Sequence, residues 1–195
     1  MRIVAGHLRG RALVAPEDGG TRPTSDRVRE AVFNVLAHGI PGFSLEGARV
    51  LDLFAGTGAV GIEALSRGAK LCLFVEDDPQ ARGVIRQNVE AFGLTGITRI
   101  WRRDATNLGP ANTRDCFDIA FLDPPYGKGL GERALIAARE GGWLEKCAIV
   151  VLEEHADTIV DWPPGFVVLD ARQWGGTQVH FARYDACSGA DGSIT

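Results

Sequence analysis

Short, continuous apolar runs alternate with amphipathic stretches through most of the chain. The apolar runs are rich in Val, Leu, Ile and Phe and predict strands, while the stretches between them repeat apolar residues at helical spacing. The predicted strands cover residues 49–54, 71–75, 97–102, 117–122 and 148–152, and the predicted helices cover 60–66, 79–92 and 132–140. Strands that are apolar throughout indicate a mostly parallel sheet buried on both faces, and therefore a doubly wound, Rossmann-like α/β fold.

The two ends of the chain depart from this alternation. Strands predicted at 166–171 and 178–184 are joined by a connection with Trp174-Gly175-Gly176-Thr177, which is too short for a crossover helix, so the two should be antiparallel. At the other end, residues 2–5 and 11–14 predict a small hairpin. A helix follows, with apolar residues at helical spacing: Val28, Ala31, Val32, Val35 and Leu36.

Length and composition fit one domain with a small appendage. The chain has 195 residues, of which 45% are hydrophobic, enough for one sizeable core. We divide it into an N-terminal hairpin and helix at 1–40, an α/β domain at 41–185 and a flexible tail at 186–195. No apolar run resembles a membrane span or a signal peptide, so we expect a cytoplasmic protein. The 4 cysteines and 4 histidines are scattered, which predicts no metal site.

Charge is distributed unevenly along the chain. The net charge of -4 argues against a nucleic-acid partner, since phosphate binding needs clustered Lys and Arg. However, residues 1–15 carry three arginines and no acid, and three more arginines follow by residue 29. The sequence from 151 onward has seven acids against two basic residues. We therefore expect the charge of the protein to be unevenly distributed, with a basic N-terminal end.

A glycine-rich loop follows the first strand of the predicted sheet. Gly56-Thr57-Gly58-Ala59-Val60-Gly61 has G-x-G-x-x-G spacing, and Glu76 ends the next strand, where a carboxylate can accept both ribose hydroxyls. This pattern alone also fits a dinucleotide site, or a tight turn needed only for packing. Asp52 favours another ligand, because its carboxylate would repel a pyrophosphate but suits an ammonium and a sulfonium, as in S-adenosylmethionine.

The predicted cofactor site draws on the ends of three consecutive strands. Its residues are Asp52, Phe54, Gly56, Thr57, Gly58, Glu76, Asp77, Asp104 and Ala105. Asp104 lies at the end of the third strand and is placed to reach an adenine amine, although a plain helix cap is an alternative for it.

A second motif, Asp123-Pro124-Pro125-Tyr126, follows the buried strand predicted at 117–122. The two prolines stiffen the backbone and remove two N–H donors, which leaves the Asp123 carboxylate and the Pro124 carbonyl as acceptors for the hydrogens of an exocyclic amine. Tyr126 can stack on the ring that bears this amine. The alternative is a rigid proline turn with a structural tyrosine. With the cofactor loop upstream, the four residues predict a catalytic site for methyl transfer to nitrogen.

These motifs resemble those of class I S-adenosylmethionine-dependent N-methyltransferases, and more closely the bacterial RsmD family. The resemblance runs from Arg2 to about Tyr184. It rests on the segments Arg2-Ile3-Val4-Ala5-Gly6, Arg9-Gly10-Arg11, Arg22-Pro23-Thr24, Asp26-Arg27-Val28-Arg29-Glu30, Phe33-Asn34, Ala55-Gly56-Thr57-Gly58-Ala59 and Glu63-Ala64-Leu65-Ser66-Arg67. One departure is Asp77, at a position where an apolar side chain often packs on the adenine.

The resemblance implies a specific activity. Members of this family methylate N2 of a guanine in 16S ribosomal RNA, so the substrate would be this RNA within a 30S subunit or an assembly intermediate. The resemblance also implies that the basic hairpin and residues 22–29 approach RNA, with Arg9, Arg11, Arg22 and Arg27 as the contacts. We expect a monomer that needs neither a metal nor a membrane.

Three other functions fit parts of the sequence. The D-P-P-Y motif also serves adenine-N6 methylation of DNA or RNA, while the related motif of protein glutamine methylation has Asn in place of Asp123. The G-x-G-x-x-G spacing fits an NAD-dependent oxidoreductase. A non-catalytic RNA-binding factor with the same fold is the third alternative.

Overall fold

The chain forms two compact units, Met1–Ala105 and Thr106–Thr195, in a computed structural model that describes residues 1–15, 26–112 and 116–185. The predicted tail at 186–195 lies outside the described residues. Over the described part of the chain, no helix combines the length and apolar character needed to cross a membrane.

The first unit is built on three parallel strands in the order β3-β2-β1. Its elements are α1 (Asp26–His38), β1 (Arg49–Leu53), α2 (Ala59–Ser66), β2 (Leu71–Val75), α3 (Pro79–Ala91), a 3-10 turn (Thr95–Ile97) and β3 (Thr98–Trp101). Leu53 pairs with Val75, and Val75 pairs with Trp101. The carboxyl ends of the three strands are therefore level, and the loops that follow them leave from one edge of the sheet.

The second unit has four strands in the order β4-β5-β7-β6. Its elements are β4 (Phe117–Leu122), α4 (Leu130–Glu140), β5 (Leu144–His155), β6 (Phe166–Trp174) and β7 (Thr177–Tyr184). Strands β4 and β5 are parallel, whereas β7 is antiparallel to both β5 and β6. The predicted antiparallel pair at the carboxyl end is thus confirmed, and its short connection explains the direction.

Local sequence explains how the helices of the first unit begin. The Asp78 carboxylate caps α3 by accepting from the N–H of Ala81 at 2.6 Å, and Pro79 occupies the first position, where no N–H is needed. Helix α2 begins after Gly58, which has no side chain to cap it. Its third residue, Gly61, packs so closely on β2 that a Cβ there would lie 2.5 Å from Cys72 Sγ.

Most predicted elements are found within a few residues of their expected limits, with two informative differences. Strand β5 begins at Leu144 rather than 148. Residues 145–147 are exposed, two of them are charged, and Cys147 has a positive φ of 67°, so this part of the strand does not show an apolar pattern. The predicted N-terminal hairpin is reduced to one antiparallel bridge, Arg2 with Ala12.

The N-terminal segment is docked on α2 through its own backbone. The carboxylate of Glu63, which is fully buried, accepts from the N–H groups of Val4 at 2.8 Å and Ala5 at 2.9 Å. The Nε atoms of Arg67 and Arg29 lie 2.8 Å and 3.6 Å from the same carboxylate. The buried charge is therefore both hydrogen-bonded and surrounded by cations, the conditions under which burial is tolerated.

Gly6 lies where this segment comes closest to α2. The N–H of His7 donates to the Ser66 carbonyl at 2.9 Å, and the N–H of Leu8 donates to Ser66 Oγ at 3.0 Å. The Ser66 hydroxyl in turn donates to the Ala5 carbonyl at 2.6 Å. These hydrogen bonds hold Ser66 so close to Gly6 that there is no room for a side chain at position 6.

We expect Gly6→Ala to destabilise the protein more than its control, Gly10→Ala. The φ angles are 80° and 83°, so each substitution carries a similar strain of about 1 kcal/mol. Only at position 6 would the new Cβ meet an obstacle, the Ser66 oxygen at 1.8 Å. In urea unfolding, Gly6→Ala should lose about 2 kcal/mol more than the control, and amide exchange at Val4 and Ala5 should accelerate. Equal losses would contradict the docked geometry.

Candidate cofactor and substrate sites

The loop after β1 adopts an unusual backbone conformation. Phe54, Gly56 and Gly58 all have positive φ angles, of 58°, 54° and 76°. This conformation is easy for glycine but strained for Phe54, and such strain is typical of ligand-binding loops. The N–H groups of Gly56 and Gly58 donate within the protein, to Glu76 Oε2 and to the Ala55 carbonyl, so the backbone of the predicted cofactor loop is fixed.

Glu76, at the end of β2, is held by this loop. Its Oε2 accepts from the N–H of Gly56 at 2.8 Å, and its Oε1 accepts from the N–H of Asp78 at 2.9 Å. Burial raises the pKa of Glu76 above its ordinary value, and the neighbouring charge of Asp77 adds to this, while the two backbone hydrogen bonds act in the opposite direction. The carboxylate is therefore preorganised, and each oxygen has a further lone pair for a ligand donor.

Asp52 is almost completely buried, with 4% of its surface exposed. Its Oδ2 accepts from the N–H of Gly61 in the first turn of α2 at 3.0 Å, and this bond supplies the cap that Gly58 cannot provide. Its negative charge also raises the pKa of the buried Cys72 thiol, after the larger effect of burial itself. Asp52 thus stabilises the helix that follows the loop, besides any contact with a ligand.

The remaining predicted cofactor residues differ in exposure. Asp77 and Asp104 are exposed, whereas Ala105 is buried. Arg82 of α3, which sequence reasoning missed, is buried and donates to the carbonyls of Glu76 at 3.1 Å and Asp77 at 2.6 Å. Arg82 therefore fixes the backbone at Glu76, the residue predicted to bind the ribose. An arginine among the apolar positions of an amphipathic helix is the signal that indicates such a role.

Asn88 of α3 is a second residue that sequence reasoning missed. Its amide nitrogen donates to the Thr57 carbonyl and to the Val14 carbonyl, both at 3.1 Å, and its Oδ1 accepts from the N–H of Val14 at 2.8 Å. The Thr57 hydroxyl lies 3.9 Å from the sulfur of Met1. The predicted cofactor loop and the N-terminal segment are thus attached to the same buried side chain.

The D-P-P-Y motif leaves the carboxyl end of β4, as predicted. Asp123 and Tyr126 are partly buried, Pro124 is buried and Pro125 is exposed. The Tyr126 hydroxyl donates to Glu153 Oε1 at 2.5 Å. Burial raises the pKa of Tyr126, and the hydrogen bond to Glu153 raises it further. The phenol is therefore protonated, and its ring is anchored at the edge of the sheet.

A second glutamate of β5 holds the backbone beside this tyrosine. Glu154 is buried, and its Oε1 accepts from the N–H of Gly127 at 3.0 Å and from the N–H of His155 at 2.8 Å. Neither Glu153 nor Glu154 was among the predicted site residues. Two acids that directly follow the apolar strand positions 148–152 are the sequence signal that could have found them.

The predicted RNA contacts have different surroundings. Arg9 and Arg27 are exposed. Arg11 is exposed too, but its Nη2 donates to the Ala91 carbonyl at 2.6 Å and its guanidinium lies 4.4 Å from the centre of the Phe92 ring. Arg22 lies outside the described residues. Arg29 lies in the stretch 22–29 that was predicted to approach RNA, but its side chain is buried. It donates to the Arg2 carbonyl and, at 2.9 Å, to Asp26.

Comparison with known proteins gives consistent results. Residues 1–183 match the family described as Conserved hypothetical protein 95. The chain is 37% identical to ribosomal RNA small subunit methyltransferase D of Escherichia coli K12, over 80% of this chain and 76% of that protein. It is 33% identical to the protein of the same name from Haemophilus influenzae, over 90% of this chain and 89% of that one.

Solved structures extend the likeness to the fold. The structure of yhhF from Escherichia coli matches with a TM-score of 0.81 at 30% identity, covering 95% of this chain and 98% of that one. A hypothetical protein from Thermus thermophilus matches with a TM-score of 0.71 at 30% identity, covering 93% and 98%. These likenesses confirm the doubly wound, Rossmann-like α/β fold predicted from the apolar pattern.

Proposed function

The chain belongs to the family described as Conserved hypothetical protein 95 and to that of ribosomal RNA small subunit methyltransferase D, and we propose that it transfers a methyl group from S-adenosylmethionine to N2 of a guanine in 16S ribosomal RNA. The observation that carries this proposal is the D-P-P-Y loop after β4, with Tyr126 anchored through its hydroxyl. The names of the relatives support small-subunit RNA as the substrate. The choice of guanine N2 rests on the sequence resemblance.

The first unit offers donors and acceptors that fit S-adenosylmethionine. The fixed carboxylate of Glu76 can accept the ribose hydroxyls, and the positive-φ loop at Gly56 and Gly58 can approach the ligand closely. Asp52 would attract the ammonium and sulfonium charges, while Asp104 and Ala105 are assigned to the adenine. When bound, this cofactor supplies an electrophilic methyl group.

The D-P-P-Y loop would prepare the acceptor. An exocyclic amine on a purine is a weak nucleophile, because its lone pair is delocalised into the ring. The Asp123 carboxylate and the Pro124 carbonyl accept its two hydrogens, which favours a pyramidal nitrogen with an available lone pair. Tyr126 stacks on the base. Positioning the nitrogen in line with the methyl group then provides most of the rate acceleration, so the proposal requires the donor site and this loop to act on one substrate.

The N-terminal segment is assigned to the RNA backbone. Arg9 and Arg27 are exposed, and Arg11 presents its guanidinium beside the end of α3. A guanine in folded RNA must leave its stack to enter a pocket. We infer a monomer that acts in the cytoplasm. Its substrate would be a 30S subunit or an assembly intermediate, because so small a chain has little surface with which to recognise free RNA.

The product of the reaction tests the proposal directly. Labelled methyl groups from S-adenosylmethionine should enter 16S RNA of small subunits isolated from cells that lack this protein. Nucleoside analysis should then identify N2-methylguanosine. N6-methyladenosine would instead support the adenine-methylating alternative. Thermal stabilisation by NAD, with none by S-adenosylhomocysteine, would contradict the cofactor assignment.

Asp123→Ala should reduce methyl transfer by about 100-fold or more, because one of the two acceptors for the amine hydrogens is lost. Binding of S-adenosylhomocysteine and of RNA should be unchanged in calorimetry and filter binding. Asp161→Ala, at an exposed acid in the same unit, is the control and should retain full activity. If both variants bind RNA and neither differs from the wild type in methyl transfer, Asp123 has no catalytic role.

Glu76→Gln should weaken S-adenosylhomocysteine binding by about tenfold or more, because a charged acceptor is lost. In the wild type, affinity should fall as the pH is lowered through the raised pKa of Glu76, since protonation removes the charge, and Glu76→Gln should lack this dependence. The fold responds in the opposite sense: burial disfavours the charged form, so the contribution of Glu76 to stability is greatest in acid and is lost as the pH rises through its pKa. Glu90→Gln, at an exposed position of α3, is the control.

A further inference from the structure

The Tyr126 hydroxyl is not needed for stacking on a base, because stacking requires only an aromatic ring. Phenylalanine would stack equally well, yet this side chain donates a hydrogen bond of 2.5 Å to Glu153 Oε1. That distance is typical of a strong bond between a hydroxyl and an ionised carboxylate. A second contact joins the hydroxyl to Thr177 Oγ1 at 3.3 Å. The end of the ring farthest from the backbone is therefore fixed.

Both partners of the hydroxyl belong to strands and not to loops. Leu122 of β4 pairs with Leu152 of β5, so Asp123 and Glu153 are the next residues on two adjacent parallel strands. Thr177 begins β7, which is antiparallel to β5 and pairs with it as far as His155. The sheet thus provides a rigid frame, and the loop residue Tyr126 is attached to it.

The backbone on the far side of the tyrosine is fixed by the same strand. Glu154 is buried and accepts from the N–H of Gly127 at 3.0 Å. The ring of His155 also approaches Tyr126, with the two ring centres 6.1 Å apart. Three consecutive residues of β5 therefore contact Tyr126 or its neighbour, and the side chain has little freedom to turn.

We propose that Glu153 is a positioning residue that acts through the Tyr126 hydroxyl, holding the ring at the angle at which the acceptor base stacks beside Asp123. This inference rests on the proposed function. Without the hydrogen bond to Glu153, the Tyr126 ring would have to be ordered each time a substrate binds. The amine nitrogen of the base would then be presented to the methyl group at varying angles. A small misplacement of a reacting atom costs much of the rate that positioning provides.

The role assigned to Glu153 predicts a non-additive pair of substitutions. Tyr126→Phe and Glu153→Ala should each lower the single-turnover rate of methyl transfer, at saturating S-adenosylmethionine, by about tenfold or more. The double variant should be no slower than the slower single variant, because both changes remove one hydrogen bond. Glu153→Gln should recover part of the rate, since its amide oxygen still accepts from the phenol.

Two controls separate positioning from folding. Glu145→Ala, at an exposed position of the same strand, should leave the rate unchanged. Binding of S-adenosylhomocysteine and the midpoint of thermal unfolding should be close to the wild-type values in Glu153→Gln and Tyr126→Phe, even where the rate falls.

The outcomes distinguish the proposed function from the positioning role of Glu153. If the wild type forms no N2-methylguanosine, the proposed function fails. If the wild type does form it but the effects of Tyr126→Phe and Glu153→Ala multiply in the double variant, Glu153 does not act through the hydroxyl and the positioning role is wrong. Wild-type rates for Tyr126→Phe would also overturn it.

Discussion

A buried carboxylate that accepts two backbone N–H groups fixes each of the three segments to which the sequence assigns a ligand. Glu63 holds the N-terminal segment, Glu76 holds the glycine-rich loop, and Glu154 holds the end of the D-P-P-Y loop. Loops rich in glycine and proline cannot satisfy their own backbone donors within a helix or ladder. A carboxylate supplied by a neighbouring element does so with strong, charge-assisted bonds, each worth about 1.5–3 kcal/mol.

Strand register determines which side chains these carboxylates can reach. In the first unit, the pairing of Leu53 with Val75 and of Val75 with Trp101 brings the loop after β1 beside Glu76. In the second unit, the pairing of Leu122 with Leu152 places the D-P-P-Y loop beside the two glutamates of β5. A shift of one residue would turn these polar side chains to the opposite face of their strands, because side chains alternate along a strand.

Three polar side chains make structural contacts at positions that are also assigned to a ligand. Asp52 completes the first turn of α2 and is also assigned to the cofactor, while Tyr126 is anchored by its hydroxyl and its ring is assigned to the base. Arg11 covers the Phe92 ring and donates to the end of α3, and it is also one of the proposed RNA contacts. Groups that are already ordered by the protein lose less entropy when a ligand binds, so structural bonds and ligand binding are compatible at these positions.

Sequence alone determined the elements and the residue types at the strand ends. Strand β4 was predicted with its observed limits, and helix α3 was predicted to begin at its observed first residue, Pro79, because apolar runs and helix starts depend on neighbours only a few residues away. The partners of the site were decided only by the tertiary structure. Glu63 lies 59 residues from Val4 in sequence, Asn88 lies 74 from Val14, and Glu153 lies 27 from Tyr126. No local pattern encodes such pairs, because they exist only once the tertiary fold has brought distant segments into contact.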